Sequence, residues 1–285
     1  MQEKKVALFF VSIFLLVQLL GLYIGNQYIS LIKSGQAQPV FENPEKAENS
    51  FLLVFYMLIG TGVMILAVKY WKFSIRIIEV VAVFFASTVT FTFLIPVEIF
   101  FIPLGVFLAI ALTAWKVLRP DFLNQNLSLI FSVTGAGAII GASLGVLPSL
   151  VFILLLSVYD FISVFITKHM VYIAKEITKR PTAFTLAFPY RFKKPIKFSA
   201  DKKMIKKKFH IFQLGGGDLA IPLIFSVSIF SSFSLIQALL SAIFSAAALS
   251  LLIYFSAKKP GRVLPALPFI SVGSILGLLI SLLIF

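Results

Sequence analysis

Residues 127–167 read LSLIFSVTGAGAIIGASLGVLPSLVFILLLSVYDFISVFIT, and Asp160 is the one charged residue among them. A membrane-spanning helix needs about 20 apolar residues, so this run is long enough to cross a bilayer twice. Pro148 lies near its middle, and we expect the chain to fold back there. The stretch therefore predicts two consecutive membrane helices, the second of which carries a carboxylate.

The whole chain has the composition of a membrane protein. Of its 285 residues, 60% are hydrophobic and 13% are charged, whereas soluble domains carry about 25% charged residues. This composition excludes a soluble enzyme, a disordered chain and a fibrous repeat. Because the chain has no cysteine and only two histidines, we expect no disulfide, no metal site and no cofactor.

Nine apolar stretches are long enough to span a membrane. The run 77–118 has to fold back once, and Pro96, Glu98 and Pro103 mark the place. The sequence therefore predicts an all-α membrane protein with nine transmembrane helices in a single domain, residues 1–285. The predicted spans are 6–25, 51–68, two within 77–118, two within 127–167, then 214–233, 235–255 and 265–285.

The basic residues support this count and indicate an orientation. When the loops are assigned alternately to the two sides of the membrane, 23 of the 25 Lys and Arg residues fall on one side. Only Lys33 and Lys46 fall on the other. Since basic loops stay in the cytoplasm, we expect a multi-pass protein of the cell membrane with a cytoplasmic N-terminus and an external C-terminus.

The segment 169–211 is the one long loop on the basic side. We expect it to act as a cytoplasmic retention signal and to bind anionic lipid headgroups. Its aromatic residues form no recognisable nucleic-acid-binding module, so no nucleic-acid partner is expected. The sequence is compatible with a monomer or an oligomer.

Small residues recur at helical spacing in two of the predicted spans. Gly137, Gly141 and Gly145 follow one another every four residues in the fifth span, and Gly273 and Gly277 do so in the ninth. Such spacing lets helix backbones approach closely. The pattern indicates that spans five and nine lie in the interior of the helix bundle.

Three acidic residues fall within the predicted spans. Glu79 lies within a turn of the cytoplasmic end of span three, where we expect it to reach water or to pair with Arg76. Asp160 precedes Lys168 by eight residues, and Asp218 follows Lys208 by ten. At 1.5 Å per helical residue both lie roughly 10 to 15 Å inside the cytoplasmic face.

Spans six and seven run in opposite directions, so Asp160 and Asp218 are expected to meet at one depth. An ionisable group there costs at least about 2.5 to 3.5 kcal/mol and indicates function. Two adjacent carboxylates cannot both ionise cheaply, so one keeps a proton, as in aspartic proteases. The same pair could carry protons or a cation through a transporter, although the inverted repeats common in transporters are not evident.

The residues around these acids favour the protease. The motifs are Ser157-Val158-Tyr159-Asp160, Gly215-Gly216-Gly217-Asp218 and Pro265-Ala266-Leu267-Pro268. Their order, on the sixth, seventh and ninth of nine spans, resembles the presenilin and signal peptide peptidase family of intramembrane aspartyl proteases. Prepilin peptidases share a motif similar to the second one but lack the other two.

The resemblance implies a nine-helix protease in which Asp160 and Asp218 cut transmembrane-helix substrates. The predicted orientation is that of presenilins, and the short chain is similar to compact archaeal homologues. In the family the segment Pro265, Ala266, Leu267 lies beside the catalytic pair and supports substrate. Gly216 departs from the family, which often has Leu there, at a position associated with substrate choice.

The glycines and prolines next to the two acids suit a protease that must unwind a helix. Gly215, Gly216 and Gly217 let backbone approach substrate beside Asp218, while the Tyr159 hydroxyl either hydrogen-bonds near the site or packs. An unwound substrate needs partners for its backbone groups. We therefore expect 209–214 to become a strand beside substrate, and to be poorly ordered or differently folded without it.

Overall fold

A computed structural model describes residues 2–70, 74–119, 121–166, 185–190, 210–258 and 264–285. Within these ranges nine helices follow one another in the order of the nine predicted spans. The helices are α1 Gln2–Lys33, α2 Glu48–Tyr70, α3 Ser74–Leu94, α4 Leu104–Leu118, α5 Phe122–Ala142, α6 Val146–Phe165, α7 Gly217–Ser232, α8 Leu235–Lys258 and α9 Leu267–Ile284.

Four short strands accompany the helices, so the all-α prediction needs a correction. The strands are β1 Glu98–Ile99, β2 Ile102–Pro103, β3 Thr185–Tyr190 and β4 His210–Gly215. β1 pairs with β2 and β3 pairs with β4, both antiparallel. The protein is thus mostly helical, with two small sheets at chain reversals.

The helices differ in length relative to a bilayer. Six of them, α1, α3, α5, α6, α8 and α9, are long and apolar enough to cross it. The apolar part of α2, together with α4 and α7, is shorter. With 16 residues, α7 is about 24 Å long, against a hydrocarbon core of about 30 Å. The strand before α7 takes up part of the predicted seventh span.

The chain reverses between α3 and α4 through the β1–β2 hairpin. Pro96, Glu98 and Pro103 all lie in this connection, so the predicted reversal is confirmed. Phe100 and Phe101 form the tip, with φ angles of 50° and 64°. Left-handed backbone at both central positions is what a two-residue hairpin turn requires.

The reversal between α5 and α6 is also confirmed. α5 ends at Ala142 and α6 begins at Val146, which leaves a three-residue turn. Pro148 is the third residue of α6. A proline in the first helical turn is tolerated, because the backbone N–H that it lacks would have no partner within the helix.

The glycine spacing does correspond to close helix packing. A Cβ on Gly141 of α5 would lie 2.7 Å from the Ile224 carbonyl of α7. A Cβ on Gly277 of α9 would lie 2.7 Å from Cα of Ser241 in α8. Both contacts leave little room for a side chain. The interior prediction is confirmed for α5, but it is wrong for α9, one side of which is exposed at Phe269, Val272 and Leu276. Gly145, predicted in the fifth span, is the N-cap of α6.

Glu79 has a different environment from the one predicted. Its carboxylate forms an ion pair with Lys116 of α4 at 2.9 Å, and both side chains are buried. Arg76 instead donates to the Val117 carbonyl at 2.8 Å. The expectation of an exposed acid paired with Arg76 is wrong, because α4 brings a second cation against the buried face of α3.

β3 packs against the start of α5 and against α1, and β4 leads directly into α7. Leu186 and Leu214 stand opposite each other and are buried in the core. Strand structure at 210–214 was expected only beside substrate, and that condition is wrong because β3 already pairs with β4. Residue 209 and most of the basic loop, 169–184 and 191–209, lie outside the described residues.

Candidate active site

Asp160 lies on α6, five residues before the helix ends at Phe165. Its Oδ2 atom accepts a hydrogen bond from the backbone N–H of Leu267, with N and O 3.2 Å apart. Leu267 is the first residue of α9, where a backbone N–H has no partner within the helix. The Asp160 carboxylate supplies that partner.

The segment Pro265, Ala266 and Leu267 is therefore next to Asp160. All three residues are buried, and Ala266 is the N-cap of α9. Pro268 follows at the second helical position, which proline tolerates because it has no N–H to satisfy. The motif thus ends in a helix start whose Ala266 and Leu267 N–H groups are aimed at a carboxylate.

Asp218 is the second residue of α7. Its Oδ2 atom accepts a hydrogen bond from the Gly215 N–H at 3.1 Å. Gly215 ends β4, Gly216 is the N-cap of α7, and Gly217 begins the helix. A Cβ on Gly215 would lie 3.2 Å from the same carboxylate oxygen, so a side chain there would crowd Asp218.

Asp218 reaches this position by a different path from the predicted one. The depth argument assumed helical rise from Lys208 onward, whereas 210–215 is a strand, which rises about 3.3 Å per residue. Asp218 therefore stands at the start of its helix and not well inside it. The predicted meeting with Asp160 nevertheless occurs.

The two carboxylates lie close enough for their charges to interact. Both are half-buried, so water can reach them. Asp218 occupies the first turn of α7 and Asp160 contacts the first residue of α9. Helix N-termini carry partial positive charge, which favours negative charge on the pair, while the repulsion between adjacent carboxylates favours a single shared proton.

Tyr159 joins this site to α2. Its hydroxyl is a hydrogen-bond partner of Thr61, and the ring lies near enough to Asp160 for an electrostatic interaction. Thr61 itself donates to the Met57 carbonyl at 2.8 Å, so its oxygen accepts the bond from Tyr159. The hydroxyl thus makes a hydrogen bond, although to α2 and not to the opposite carboxylate.

Buried serines that the sequence analysis did not single out fix the helices around the pair. Ser157, three residues before Asp160, shares a hydrogen bond with Ser271 of α9, with the two oxygens 2.5 Å apart. Ser149 of α6 shares one with Ser228 of α7 at 2.8 Å. Polar pairs of this kind hold membrane helices together. Serines are common in these spans, so the sequence alone does not indicate which ones pair.

Two amide side chains at the start of α5 contact β3. Asn126 Nδ2 donates to the Ala187 carbonyl, and the Ala187 N–H donates to Asn126 Oδ1, both at 2.9 Å. Gln125 Nε2 donates to the Thr185 carbonyl at 2.7 Å. The unusual run of amides at 124–126 in an apolar span was the available signal, but its partner strand could not be predicted.

These contacts show which edge of β3 faces α5 and which edge faces β4. Backbone groups alternate between the two edges of a strand, so Ala187 and Thr185 face α5 while Leu186 faces β4. On β4, the residues opposite Ala187 and Thr185 then direct their N–H and C=O groups away from β3. That edge of β4 has no neighbouring strand in the part of the chain that the structure describes.

Within the described ranges, no group of three His, Cys, Asp or Glu side chains lies close enough to hold a metal ion. The chemistry available at the site is that of two carboxylates, water and a few backbone donors. This combination, inside a helical membrane protein, is the one expected of an aspartyl protease that works within the bilayer.

Comparison with known proteins supports this class. The family model described as signal-peptide peptidase, presenilin aspartyl protease matches residues 11–285. The chain therefore belongs to that family, and it is an intramembrane aspartyl protease, as its motifs predicted. The alternative of a coupled transporter receives no support. Among curated proteins, no significant match is found.

Two similar solved structures agree with the fold. Both are described as a presenilin family intramembrane aspartate protease, crystallised in space groups C222 and P2. The first is 21% identical, with a TM-score of 0.63, and the match covers 95% of this chain and 94% of the other. The second is 23% identical, with a TM-score of 0.65, and covers 95% and 96%. At this identity the likeness concerns the fold.

Proposed function

We propose that Asp160 and Asp218 are the catalytic dyad of this protease and that its substrates are transmembrane helices. The observation that carries the proposal is their arrangement. Two carboxylates from antiparallel helices interact, and each accepts backbone hydrogen bonds from a neighbouring motif. Leu267 and Ala266 donate to Asp160, and Gly215 donates to Asp218. Such a pair holds the acid and the base that peptide hydrolysis needs.

The dyad acts through its shared proton. The ionised carboxylate takes a proton from a water molecule, whose oxygen attacks the scissile carbonyl carbon. The protonated carboxyl donates its proton to the carbonyl oxygen, and a tetrahedral diol forms. When the diol collapses, the C–N bond breaks and the amine leaves with a proton from the protonated carboxyl. The other carboxylate takes a proton from a diol hydroxyl, so that the dyad again holds one proton.

We further propose that substrate pairs with the outer edge of β4. A transmembrane helix must unwind before its peptide bonds reach the dyad, and its freed backbone groups are costly away from water. β4 runs directly into Gly215, Gly216 and Gly217, which leave room for a second backbone beside Asp218. An extended substrate segment added to this edge has its backbone groups paired. Pro265, Ala266 and Leu267 support it from the side of Asp160.

The membrane arrangement belongs to the same proposal. We infer nine crossings with the N-terminus in the cytoplasm and the C-terminus outside, in the cell membrane, as one domain over residues 1–285. The shorter α4 and α7 then complete their crossings with flanking residues or local thinning of the bilayer. The basic segment 169–211 lies on the cytoplasmic side, where anionic lipids attract it.

The direct test is cleavage of a single-span substrate by the purified protein in liposomes, with product ends defined by mass spectrometry. We expect cleavage within the hydrophobic segment, inhibition by hydroxyl-containing peptide mimics of the diol, and no inhibition by serine-directed reagents. Asp160→Ala is the control for contaminating proteases. Intact substrate, or cleavage that survives in the control, would reject the proposal.

A further inference from the structure

The side-chain amide of Asn126 bonds to β3 in the same pattern as the backbone of a neighbouring strand. Its amide accepts from the N–H and donates to the C=O of the same residue, Ala187, at 2.9 Å each. This two-point bond is the pattern that opposed residues exchange in an antiparallel ladder. The preceding residue, Gln125, adds two more hydrogen bonds. Its Nε2 atom donates to the Thr185 carbonyl at 2.7 Å and to the Thr185 hydroxyl at 3.1 Å.

The sequence of β3 fits this clamp. Pro189 is two residues after Ala187, so its backbone nitrogen lies on the same edge of β3, the edge that faces α5. The N–H that proline lacks would therefore not have bonded to β4. The side chain of Leu186 is fully buried, and Phe188 packs on Phe9 of α1 with ring centroids 4.6 Å apart. β3 is therefore fixed on one edge by amides and on one face by apolar packing.

The clamp is connected to Asp218 by a short series of contacts. Gln125 holds Thr185, Thr185 lies opposite Gly215 in the sheet, and the Gly215 N–H donates to Asp218. Moving β3 along α5 would thus move Gly215 relative to the carboxylate. It would also move β4, whose outer edge is the proposed substrate site.

We infer that Asn126 and Gln125 are positioning residues that set which substrate peptide bond lies at the dyad. The inference rests on the proposed dyad and on the proposed pairing of substrate with β4. With the clamp intact, β4 has one register against Asp218, so a paired substrate presents one bond. Without it, β4 is held less firmly beside Asp218, and substrate can pair in a register shifted by two residues, the smallest slip that keeps side chains on their faces.

Asn124 offers a matched control on the same helix. It is the same residue type, two positions away and fully buried, but its Oδ1 atom accepts from Ser128 of α5 itself. Among the described residues, no hydrogen bond joins its side chain to β3. A change at Asn124 therefore alters α5 packing and helix polarity without touching the strand.

The experiment compares Asn126→Leu with Asn124→Leu in the full chain, in liposomes, with one single-span substrate. We expect Asn126→Leu to lower kcat about tenfold, for the loss of its two bonds, with a smaller change in KM. We also expect its products to end at two or more neighbouring bonds. Asn124→Leu should retain the wild-type kcat and the wild-type product ends.

Partial rescue distinguishes positioning from simple destabilisation. Asn126→Gln keeps an amide and should restore more activity and a narrower product distribution than Asn126→Asp, which lacks the donor. If Asn126→Leu does not purify as a monodisperse protein, Asn126→Ser takes its place, because serine is too short to reach both groups of Ala187.

Wild-type kcat and product ends in the substituted Asn126 protein would overturn the inference. So would equal losses in the Asn124 and Asn126 variants. Asp218→Ala in the same assay separates the two levels of the argument. If it is inactive while Asn126 variants behave as wild type, only the clamp is wrong. If it cleaves normally, the dyad fails and the inference fails with it.

Discussion

The two helices that carry the aspartates have opposite surroundings. In α7, every residue from Ile221 to Ile229 is buried. In α6, a stripe of side chains faces outward, and its members Leu154, Val158, Phe161 and Phe165 are 47%, 59%, 51% and 47% exposed. Asp218 thus stands on an enclosed helix, and Asp160 on one that meets lipid along one side.

Glycines on two flanking helices explain why α7 is so enclosed. A Cβ on Gly21 of α1 or Gly137 of α5 would collide with the Leu223 side chain of α7. The backbones of α1 and α5 therefore approach α7 from two sides. One helix holds its carboxylate within the bundle, while the other exposes one side to the membrane, from which we propose that substrate approaches. The contrast suggests that α7 anchors the dyad and α6 admits the substrate.

Removing either carboxylate should have the largest effect. The loss should be equally severe on the enclosed α7 and on the exposed α6. We expect Asp160→Ala and Asp218→Ala each to lower kcat at least about a thousandfold, because each leaves the other without its acid or base partner. Asp→Asn at either position should do the same, since the amide preserves size but not the shared proton. Substrate cleavage by purified, folded protein measures this.

Size-exclusion behaviour and thermal unfolding in detergent provide the folding control for these variants, because neither readout needs an intact dyad. Appreciable cleavage by one purified single variant would show that one carboxylate suffices, and the comparison between α6 and α7 would then lose its functional meaning.

A proline in β4 is expected to have the next largest effect. By the parity of the sheet, the N–H of Ile211 points away from β3, so Ile211→Pro removes a donor from the proposed substrate edge and leaves the β3 ladder intact. An unpaired backbone group costs about 1–3 kcal/mol, which predicts roughly a ten- to hundredfold loss of kcat/KM.

Ile211→Ala is the matched control, because it shortens the side chain and keeps the N–H. It should retain most of the activity. If the proline variant cleaves at the wild-type rate while Asp218→Ala is inactive, substrate does not pair with β4.

The packing contrast itself can be measured as stability. Leu223→Ala removes a side chain that fills the space left by two glycines, and should lower the free energy of unfolding by roughly 2 kcal/mol or more. Leu154→Ala, on the exposed side of α6, should cost less than about 0.5 kcal/mol. Thermal unfolding in detergent compares the two. Equal losses of unfolding free energy in the two variants would mean that the enclosure of α7 does not stabilise the protein.

The elements that could be predicted from the sequence are those with local signals. Apolar run length predicted the order of the helices, prolines marked the reversals, and glycine spacing marked the close contacts of α5 and α9. The meeting of Asp160 and Asp218 was predicted from the antiparallel order of their spans, although the helical depth assumed for Asp218 was wrong. Each of these inferences needs only residues near one another along the chain.

The features that the sequence did not reveal depend on distant partners. The ion pair of Glu79 with Lys116 joins residues on separate helices, and the nearer Arg76 was the obvious but wrong partner. β3 becomes a strand because Asn126 and β4 satisfy its two edges, and neither adjoins it in sequence. Gly215 was expected in a helix because its partner in the sheet, Thr185, is also distant in sequence.

The smallest predicted effect concerns the hydrogen bond that joins α6 to α2 next to Asp160. At the other end of α6, Ser50 of α2 also donates to the Pro148 carbonyl. The Tyr159 hydroxyl bonds to Thr61, and most of α2 is exposed around it, so this bond fixes the outward flank of α6. Tyr159→Phe and Thr61→Val remove the same hydrogen bond, worth about 0.5–1.5 kcal/mol, and each should lower kcat/KM about two- to tenfold.

Because the two changes break one interaction, the double variant should lose no more than the worse single one. A cycle of the four proteins in the liposome assay measures the coupling. Fully additive losses would mean that Tyr159 acts by packing, and that α6 is held beside the substrate route by contacts other than this bond.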